Sequence, residues 1–266
     1  MIGSGFEGVE NIMCLVVLDW QPANNFTLKL VANRDEFLER PTAPLNWWPE
    51  STSSFGLLAG KDLRAGGTWL ALDKRGRIAL LTNIRSGYVG KSAARSRGEL
   101  AIRFVESAMS AQEFVDSLRD SMVDYGGFNM LLGDGRELNW FSNEHPSAHI
   151  LPAGIHVLSN QALDTPWPKV IKARQQMSDS LSQFESKFGE LDILTDRAVA
   201  PDEQLPDTGV PLEWERLLSA QTILTPTYAT RSRCWLVADR SGVDVLEQQL
   251  DSAGEVVEDR RFTWSI

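Results

Sequence analysis

Residues 13–36 read MCLVVLDWQPANNFTLKLVANRDE. Two apolar runs, residues 14–19 and 27–33, flank a Gln-Pro-Ala-Asn-Asn turn, and this pattern predicts a β-hairpin. The first run opens with Cys14, and the polar string Asn33-Arg34-Asp35-Glu36 comes directly after the second strand. The stretch therefore predicts an antiparallel sheet that ends either in a plain turn or in a group of functional side chains.

Similar patterns recur along the chain. A second hairpin is predicted for residues 67–73 and 77–83. Further strands are predicted for residues 128–132, 137–142, 154–159, 231–238, 243–249 and 255–263. A loop rich in proline and tryptophan is predicted for residues 41–49, and a second loop for the Glu-His-Pro-Ser-Ala-His stretch at 144–149.

Helices are predicted between these groups of strands. Apolar residues at helical spacing follow two sequences that match a capping box, at residues 96–99 and 110–113. Thr165-Pro166 predicts the start of a helix that extends to about residue 188, and residues 212–220 predict a short helix. The order predicts an α+β protein with two stacked, mainly antiparallel sheets between helical layers, a four-layer αββα sandwich.

The composition excludes several classes of protein. The 266 residues carry a formal net charge of −10, with no broad basic field for nucleic acid. The longest apolar runs are strand-sized, far below the roughly 20 residues of a membrane span. Residues 1–12 lack the pattern of a signal peptide and, with only two cysteines, the sequence predicts a cytoplasmic protein. We expect residues 1–12 to lie outside a single domain formed by residues 13–266.

Charge is unevenly distributed. Residues 61–103 carry ten bases against three acids, and residues 179–215 carry ten acids against two bases. Two solvated faces of opposite sign would explain this pattern, and so would a basic rim for an anionic ligand. The candidate rim residues are Arg85, Lys91, Arg95 and Arg97.

Cys14 is the first candidate for catalysis. A protein that begins at Cys14 would carry a thiol nucleophile beside an amino group whose reference pKa is about 7.7–8.0, suited to accept the thiol proton. We therefore expect the native protein to lack residues 1–13. A small buried apolar residue at the head of a strand is the alternative interpretation.

Other polar groups stand where predicted strands end. Arg34 and Asp35 could hold and orient a terminal amine, whereas an ordinary turn would use the same residues. Asn83, Asn160 and Arg231 also lie at strand ends, and an asparagine there can donate to an oxyanion. The glycines of Gly66-Gly67-Thr68-Trp69 would let the backbone approach a ligand or form a bulge.

Eight short motifs in order resemble the NRDE family, the transport and Golgi organisation protein 2 family. They are Met13-Cys14, Asn33-Arg34-Asp35-Glu36, Gly66-Gly67-Thr68-Trp69, Leu81-Thr82-Asn83, Arg97-Gly98-Glu99-Leu100, Gly127-Phe128-Asn129, Leu158-Ser159-Asn160 and Thr165-Pro166-Trp167. The resemblance covers the chain from Met13 to about Ile266. It implies an N-terminal-nucleophile hydrolase-like αββα fold.

The resemblance also implies two functions. The family is associated with intracellular haem trafficking, which makes cytoplasmic haem binding and transfer the leading hypothesis. A more distant similarity to cysteine amidases of the choloylglycine hydrolase type implies an amidohydrolase as the alternative. Its catalytic set would be Cys14, Arg34, Asp35, Asn83, Asn160 and Arg231. The ligand-binding candidates are Asn33, Glu36, Trp69, Arg85 and Arg97.

Haem, or another anionic amphipathic small molecule, would suit flat aromatic surfaces beside a basic rim. Trp47, Trp48, Trp69, Trp140 and Trp167 could supply such surfaces, although core packing would explain each of them equally. None of the three histidines falls in a family motif, so the iron ligand is not predicted. Neither a structural metal site nor a nucleotide cofactor is predicted, and the protein that donates or accepts haem is unknown.

Overall fold

The computed structural model describes residues 13–25, 27–85 and 94–266. The predicted N-terminal extension and Lys91 lie outside the described residues. Within the described part of the chain there are thirteen strands. They are β1 (Met13–Gln21), β2 (Thr27–Phe37), β3 (Thr42–Trp47), β4 (Leu58–Asp62), β5 (Leu70–Leu72), β6 (Ile78–Asn83), β7 (Phe128–Gly133), β8 (Leu138–Ser142), β9 (His145–Ile150), β10 (Gly154–Leu158), β11 (Tyr228–Asp239), β12 (Gly242–Leu250) and β13 (Val256–Ser265).

The strands form two antiparallel sheets. One has the order β10-β1-β2-β11-β12-β13, and the other runs β3-β4-β5-β6-β7-β8-β9. The second sheet is a meander in which each strand pairs with its neighbours in the chain. The first sheet brings β2 against β11, so the N-terminal hairpin pairs with the C-terminal strands across almost two hundred residues of sequence.

Helices cover the outer face of each sheet. They are α1 (Gly98–Glu106), α2 (Ala111–Leu118), α3 (Pro168–Ser180) and α4 (Leu212–Leu217). The first two pack on the seven-stranded sheet, and α3 packs on β1 and β10 of the six-stranded sheet. The predicted four-layer αββα sandwich is confirmed.

The period of two along each strand separates two apolar layers. Val16, Leu18 and Trp20 of β1 face the core between the sheets, whereas Leu15 and Val17 face α3. Each fully buried aliphatic side chain of this kind contributes about 1.5–3 kcal/mol to stability. This alternation also decides on which side of the sheet each polar residue of β2 lies.

The polar string at residues 33–36 does not follow the second strand, as predicted, but forms part of β2. This strand pairs on one side with β1 and on the other with β11, and both ladders continue past Asn33. Because both neighbours supply backbone partners, the chain stays extended as far as Phe37. The four side chains therefore alternate between the two faces of the sheet.

Two predicted loops form strands. The loop predicted at residues 41–49 contains β3, and the stretch at 144–149 largely forms β9. Both are edge strands with an irregular register and a proline, at Pro44 and Pro146. An edge strand needs backbone pairing on one side only, so it tolerates a residue that lacks an N–H.

The helix predictions need two corrections. The Ser110 capping box is present, but α1 begins after Arg97 without a side-chain cap, so the capping box predicted at residues 96–99 is wrong. The helix predicted from Thr165-Pro166 begins instead with Pro168 and ends at Ser180. Among the described residues, no helix has both the length and the apolar character needed to cross a membrane.

Candidate active site and arginine pocket

Cys14 lies opposite Arg34 in the ladder between β1 and β2. Both residues line a small cavity between the sheets, with room for about one water molecule. The cysteine is 3% exposed, and burial raises the pKa of its thiol to about 12, with a further contribution from Asp35. With Met13 attached, the thiol is therefore protonated and unreactive at neutral pH.

Arg34 is 2% exposed, and its guanidinium lies 4.1 Å from the centre of the Trp69 ring. Its Nη2 is 3.4 Å from Glu36 Oε2, and Arg40 approaches the same carboxylate at 3.6 Å. The Nε and Nη1 atoms of Arg34 have no hydrogen-bond partner within the described residues. Burial lowers the pKa of Arg34 and the neighbouring Glu36 opposes this shift.

Asn33 and Asp35 project to the other side of β2, toward the helical layer. Asn33 donates from Nδ2 to the carbonyls of Leu194 and Gln221, each at 2.8 Å, and accepts from Arg233 Nε at 3.0 Å. Asn33 thus ties β2 to this layer.

Asp35 accepts a hydrogen bond of 2.5 Å from the Thr230 hydroxyl. Burial raises the pKa of Asp35 to about 6, against the opposing effect of that hydrogen bond. Thr230 lies in β11 and has no signal in the sequence analysis, because its position depends on the pairing of distant strands.

Lys169 is a second buried group that the sequence analysis missed. It lies near the start of α3, is 3% exposed, and donates to the Leu218 carbonyl at 2.8 Å. Burial lowers its pKa to about 7, and Arg85 lowers it further, whereas Asp35 and Cys14 raise it. Its place directly after the Thr165-Pro166-Trp167 motif and Pro168 is the one sequence signal that could have found it.

Asn83 and Asn160 meet where the two sheets approach each other. Asn160 donates from Nδ2 to the Asn83 carbonyl at 2.9 Å, and its own carbonyl accepts from the Arg85 N–H at 2.8 Å. The Asn83 side chain is 1% exposed, yet neither its Nδ2 nor its Oδ1 has a partner within the described residues. The predicted pair of asparagines is therefore brought together, with one amide group unsatisfied.

Two of the predicted arginines lie elsewhere. Arg85 is buried in an ion pair of 2.9 Å with Glu215 and stacks over Trp167 at 4.7 Å. Arg231 donates to the Arg40 carbonyl at 2.5 Å and to the Phe37 carbonyl at 3.3 Å, at the end of β2. Neither lines the cavity that contains Cys14.

A larger pocket of about 240 Å³ lies on the other side of Trp69. We call it the arginine pocket, because Arg40, Arg64, Arg95 and Arg97 line it together with Asp62, Asn83, Thr68, Trp69 and Gly98. Burial raises the pKa of Asp62, but hydrogen bonds from Arg40 and the backbone of residues 64 and 65 outweigh this, so that the pKa is lowered. The pocket combines four cations with one paired carboxylate.

The tryptophans predicted to surround haem occupy separate places. Trp47 packs edge-to-face on Trp264 at 5.4 Å, and Trp48 lies under Lys61. Trp140 stacks on His149 at 5.5 Å, near the outer edge of the seven-stranded sheet. Of the five, Trp69 lines the arginine pocket.

The histidines are engaged as well. His156 shares a hydrogen bond of 2.8 Å with Asp164 and one of 3.0 Å with the Pro152 carbonyl. His145 and His149, both on β9, pack against Trp140 of β8. None of the three lines the arginine pocket.

With this geometry established, comparison with known proteins identifies the family. The family model described as Transport and Golgi organisation 2 matches residues 13–252. The chain belongs to this family. The match to Transport and Golgi organisation 2 includes all the residues that line the Cys14 cavity and the arginine pocket.

Curated relatives cover most of the chain. A Transport and Golgi organization 2 homolog of Mus musculus is 29% identical over 249 residues, which are 86% of this chain and 90% of the relative. The Homo sapiens homolog is 28% identical over the same shares of both chains. A solved structure, a Caenorhabditis elegans N-acylethanolamine-hydrolyzing acid amidase ortholog, is 12% identical with a TM-score of 0.41, covering 62% of this chain and 79% of that chain.

Proposed function

We propose that this protein binds and carries an anionic amphipathic small molecule, with haem as the candidate cargo. The observation that carries the proposal is the arginine pocket, which is lined by four guanidinium groups and by the Asp62 carboxylate. Guanidinium groups bind carboxylates through paired hydrogen bonds, so the two carboxylates of haem are matched by this set.

The pocket volume of about 240 Å³ suits the carboxylate edge of haem, with the rest of the ring outside. Trp69 and Leu81 supply apolar surface beside the arginines. Because the three histidines are engaged elsewhere, iron ligation contributes little to this proposal. We therefore expect a modest affinity, which suits a protein that must also release its cargo.

A haem titration tests the proposal. The purified protein should show a saturable change in the Soret band with one haem per chain, weakened by salt because exposed ion pairs are screened. The triple variant Arg64→Glu, Arg95→Glu and Arg97→Glu should lose this saturable binding, whereas Arg119→Glu, at an exposed position directly after α2, should keep it. Non-saturable association, or equal binding by both variants, would contradict haem carriage.

A cysteine amidohydrolase is the second candidate, and the cross-strand position of Asp35 favours it. Met13 lies opposite Asp35 in the ladder, next to the pair formed by Cys14 and Arg34. In a protein that begins at Cys14, the new amino group would thus lie beside the Asp35 carboxylate. That amine would accept the thiol proton.

The candidate chemistry begins at Cys14. Its sulfur would attack the carbonyl carbon of an amide, and Asn83 is the residue expected to donate to the resulting oxyanion, although it lines the arginine pocket rather than the Cys14 cavity. The carbon–nitrogen bond then breaks, and the leaving amine takes the proton held by the terminal amine. Water hydrolyses the thioester to a carboxylic acid and restores the thiol.

Protein that begins at Cys14 should be compared with the chain that retains Met13. The first form should react with iodoacetamide at Cys14 and hydrolyse a panel of N-acyl amides, whereas the second should do neither. A Cys14→Ser variant of the first form should fold and lose the thiol chemistry. The amidohydrolase candidate fails if exposure of the amine changes neither alkylation nor hydrolysis.

A further inference from the structure

The N-terminus of α1 opens into the arginine pocket. Ser96, Arg97 and Gly98 line the pocket, and Arg97, in the N-cap position, provides no side-chain cap. The first N–H groups of a helix have no partner within the helix and carry a partial positive charge. Glu99, in the first turn, is hydrogen-bonded to Arg95 and to Tyr125 rather than to the N-cap backbone. The Glu99 and Leu100 N–H groups donate to the Ser96 and Arg97 carbonyls at 3.3 and 3.0 Å, so this helix end contributes to the pocket mainly through its partial positive charge.

Two glycines hold this helix end against the pocket wall. The Thr68 N–H donates to the Gly98 carbonyl at 3.1 Å, and a Cβ on Gly67 would lie 2.6 Å from the Gly98 carbonyl carbon. No side chain fits at that distance, so the backbone approach depends on glycine at residue 67. The packing places the end of α1 beside Thr68 and Trp69, which line the same pocket.

The Asn83 side chain is an independent sign of a ligand. It lines the same pocket, is 1% exposed, and has no partner for its amide nitrogen or its oxygen among the described residues. A buried polar group without a partner destabilises the protein that contains it. A bound group that accepts a hydrogen bond would remove this cost.

We propose that the arginine pocket recognises a phosphate or diphosphate group, held between the N-terminus of α1, the arginines and the Asn83 amide. The inference rests on the proposed function in that it takes the same pocket as the ligand site. The donors come from a helix end, from β6 and from the segment after β4. A tetrahedral anion accepts hydrogen bonds from several such directions, whereas a carboxylate accepts in one plane.

The charges favour an anion. Four arginines line the pocket with Asp62, and Glu36 and Glu99 pair with Arg40 and Arg95, so four positive charges face three carboxylates. The ligand class implied is a phosphate ester or diphosphate ester with an apolar part, because Trp69 and Leu81 adjoin the same space. Free inorganic phosphate would satisfy the anion site without using that surface.

Calorimetric titration of the full chain with pyrophosphate, phosphate and propionate tests the inference. Pyrophosphate should bind saturably at one site, phosphate more weakly, and propionate not measurably. Arg64→Gln, an exposed position, should weaken pyrophosphate binding about tenfold or more, as expected for a lost hydrogen bond to a charged group. Arg119→Gln should leave the affinity unchanged.

A second variant separates ligand binding from folding. Asn83→Leu should also weaken pyrophosphate binding, while its melting temperature should not fall, because the side-chain amide is unpartnered in the unliganded protein. Pyrophosphate that binds no better than propionate, or equally well to the wild type and to Arg64→Gln and Asn83→Leu, would overturn the inference.

The haem titration makes the two proposals separable. Saturable haem binding without a pyrophosphate site would refute the phosphate inference and leave the cargo proposal standing. A protein that binds pyrophosphate saturably but does not bind haem saturably would refute haem carriage and support the phosphate inference. Displacement of pyrophosphate by a phosphate ester with an alkyl tail, at lower concentration than by phosphate, would identify the ester as the better ligand.

Discussion

Cys14 and Arg34 face each other across the first two strands and line the same small cavity. The guanidinium favours the thiolate form of the cysteine, but burial and the Asp35 carboxylate oppose it, and the pKa of the thiol is raised to about 12. Because burial outweighs the arginine, the thiol is unreactive at neutral pH while Met13 precedes it.

Arg34→Ala should destabilise the fold strongly. The substitution removes the stacking on Trp69 and weakens the charge balance of the buried Glu36, leaving Arg40 as its remaining partner. We expect a loss of about 3 kcal/mol, at the low end for a broken buried pair. Urea unfolding measures this change in the free energy of unfolding. The exposed control Arg119→Ala should stay within about 0.5 kcal/mol of the wild type. Equal midpoints for the two variants would contradict a structural role for Arg34.

Arg85 should matter for stability rather than for ligand binding. Removing it by Arg85→Ala strands the buried Glu215 carboxylate, which should cost about 3–5 kcal/mol. The double variant Arg85→Met with Glu215→Leu should recover much of this loss, because it removes both charges together. Thermal unfolding of Arg85→Met, Glu215→Leu and the double variant measures the coupling. If the Arg85→Ala variant folds but binds haem less tightly than the wild type, Arg85 contributes to ligand binding and the prediction is wrong.

Lys169 should make stability depend on pH. Its pKa is lowered to about 7 in the folded protein by burial, from an ordinary value of 10.5. Between these values the unfolded chain binds more protons, so this group makes the protein more stable as the pH rises. The stability of the wild type relative to Lys169→Met should therefore increase from about pH 7 to about pH 9 in urea titrations.

Lys172→Met, on the exposed side of the same helix, is the control for this measurement. Its stability relative to the wild type should show a smaller change over that range. A stability of the wild type relative to Lys169→Met that stays constant, or that falls as the pH rises, would refute the charge state inferred for Lys169.

Gly67→Ala should displace the N-terminus of α1 from the pocket. The new methyl group would overlap the Gly98 backbone at 2.6–2.7 Å, and overpacking of this kind costs about 1–3 kcal/mol. Gly98→Ala should have a similar effect, since its Cβ would lie 2.9 Å from the Thr68 nitrogen. Melting temperatures and pyrophosphate titrations of the folded variants check this. Wild-type values for both variants would show that the close packing is not required.

Much of the fold could be predicted because its signals are local. The hairpin at residues 13–37 is indicated by two apolar runs around a polar turn, and the same holds for β5 with β6 and for β11 with β12. The predictions failed at β3 and β9, where a proline and a weak apolar pattern indicate a loop. Those strands form because a neighbouring strand supplies backbone hydrogen-bond partners, and the local sequence pattern does not indicate this pairing.

The candidate site shows the same division. The sequence singled out Cys14, Arg34 and Asp35, and hairpin geometry alone brings them together. It also singled out Asn83 and Asn160, which the structure joins through a hydrogen bond between distant parts of the chain. It could not show that Arg85 is buried against Glu215, or that Arg40 and Arg64 share a pocket with Arg97.

The strands and helices with clear periodicity, the order of the layers and the family motifs could all be recognised in the amino-acid sequence. The meeting of the polar groups, the depth at which Cys14 and Lys169 are buried and the direction of the end of α1 depend on the three-dimensional packing. Periodicity acts over a few residues, whereas burial and charge pairing require contacts between segments far apart in the chain. The chemistry of the thiol, the lysine and the arginines is set by those contacts.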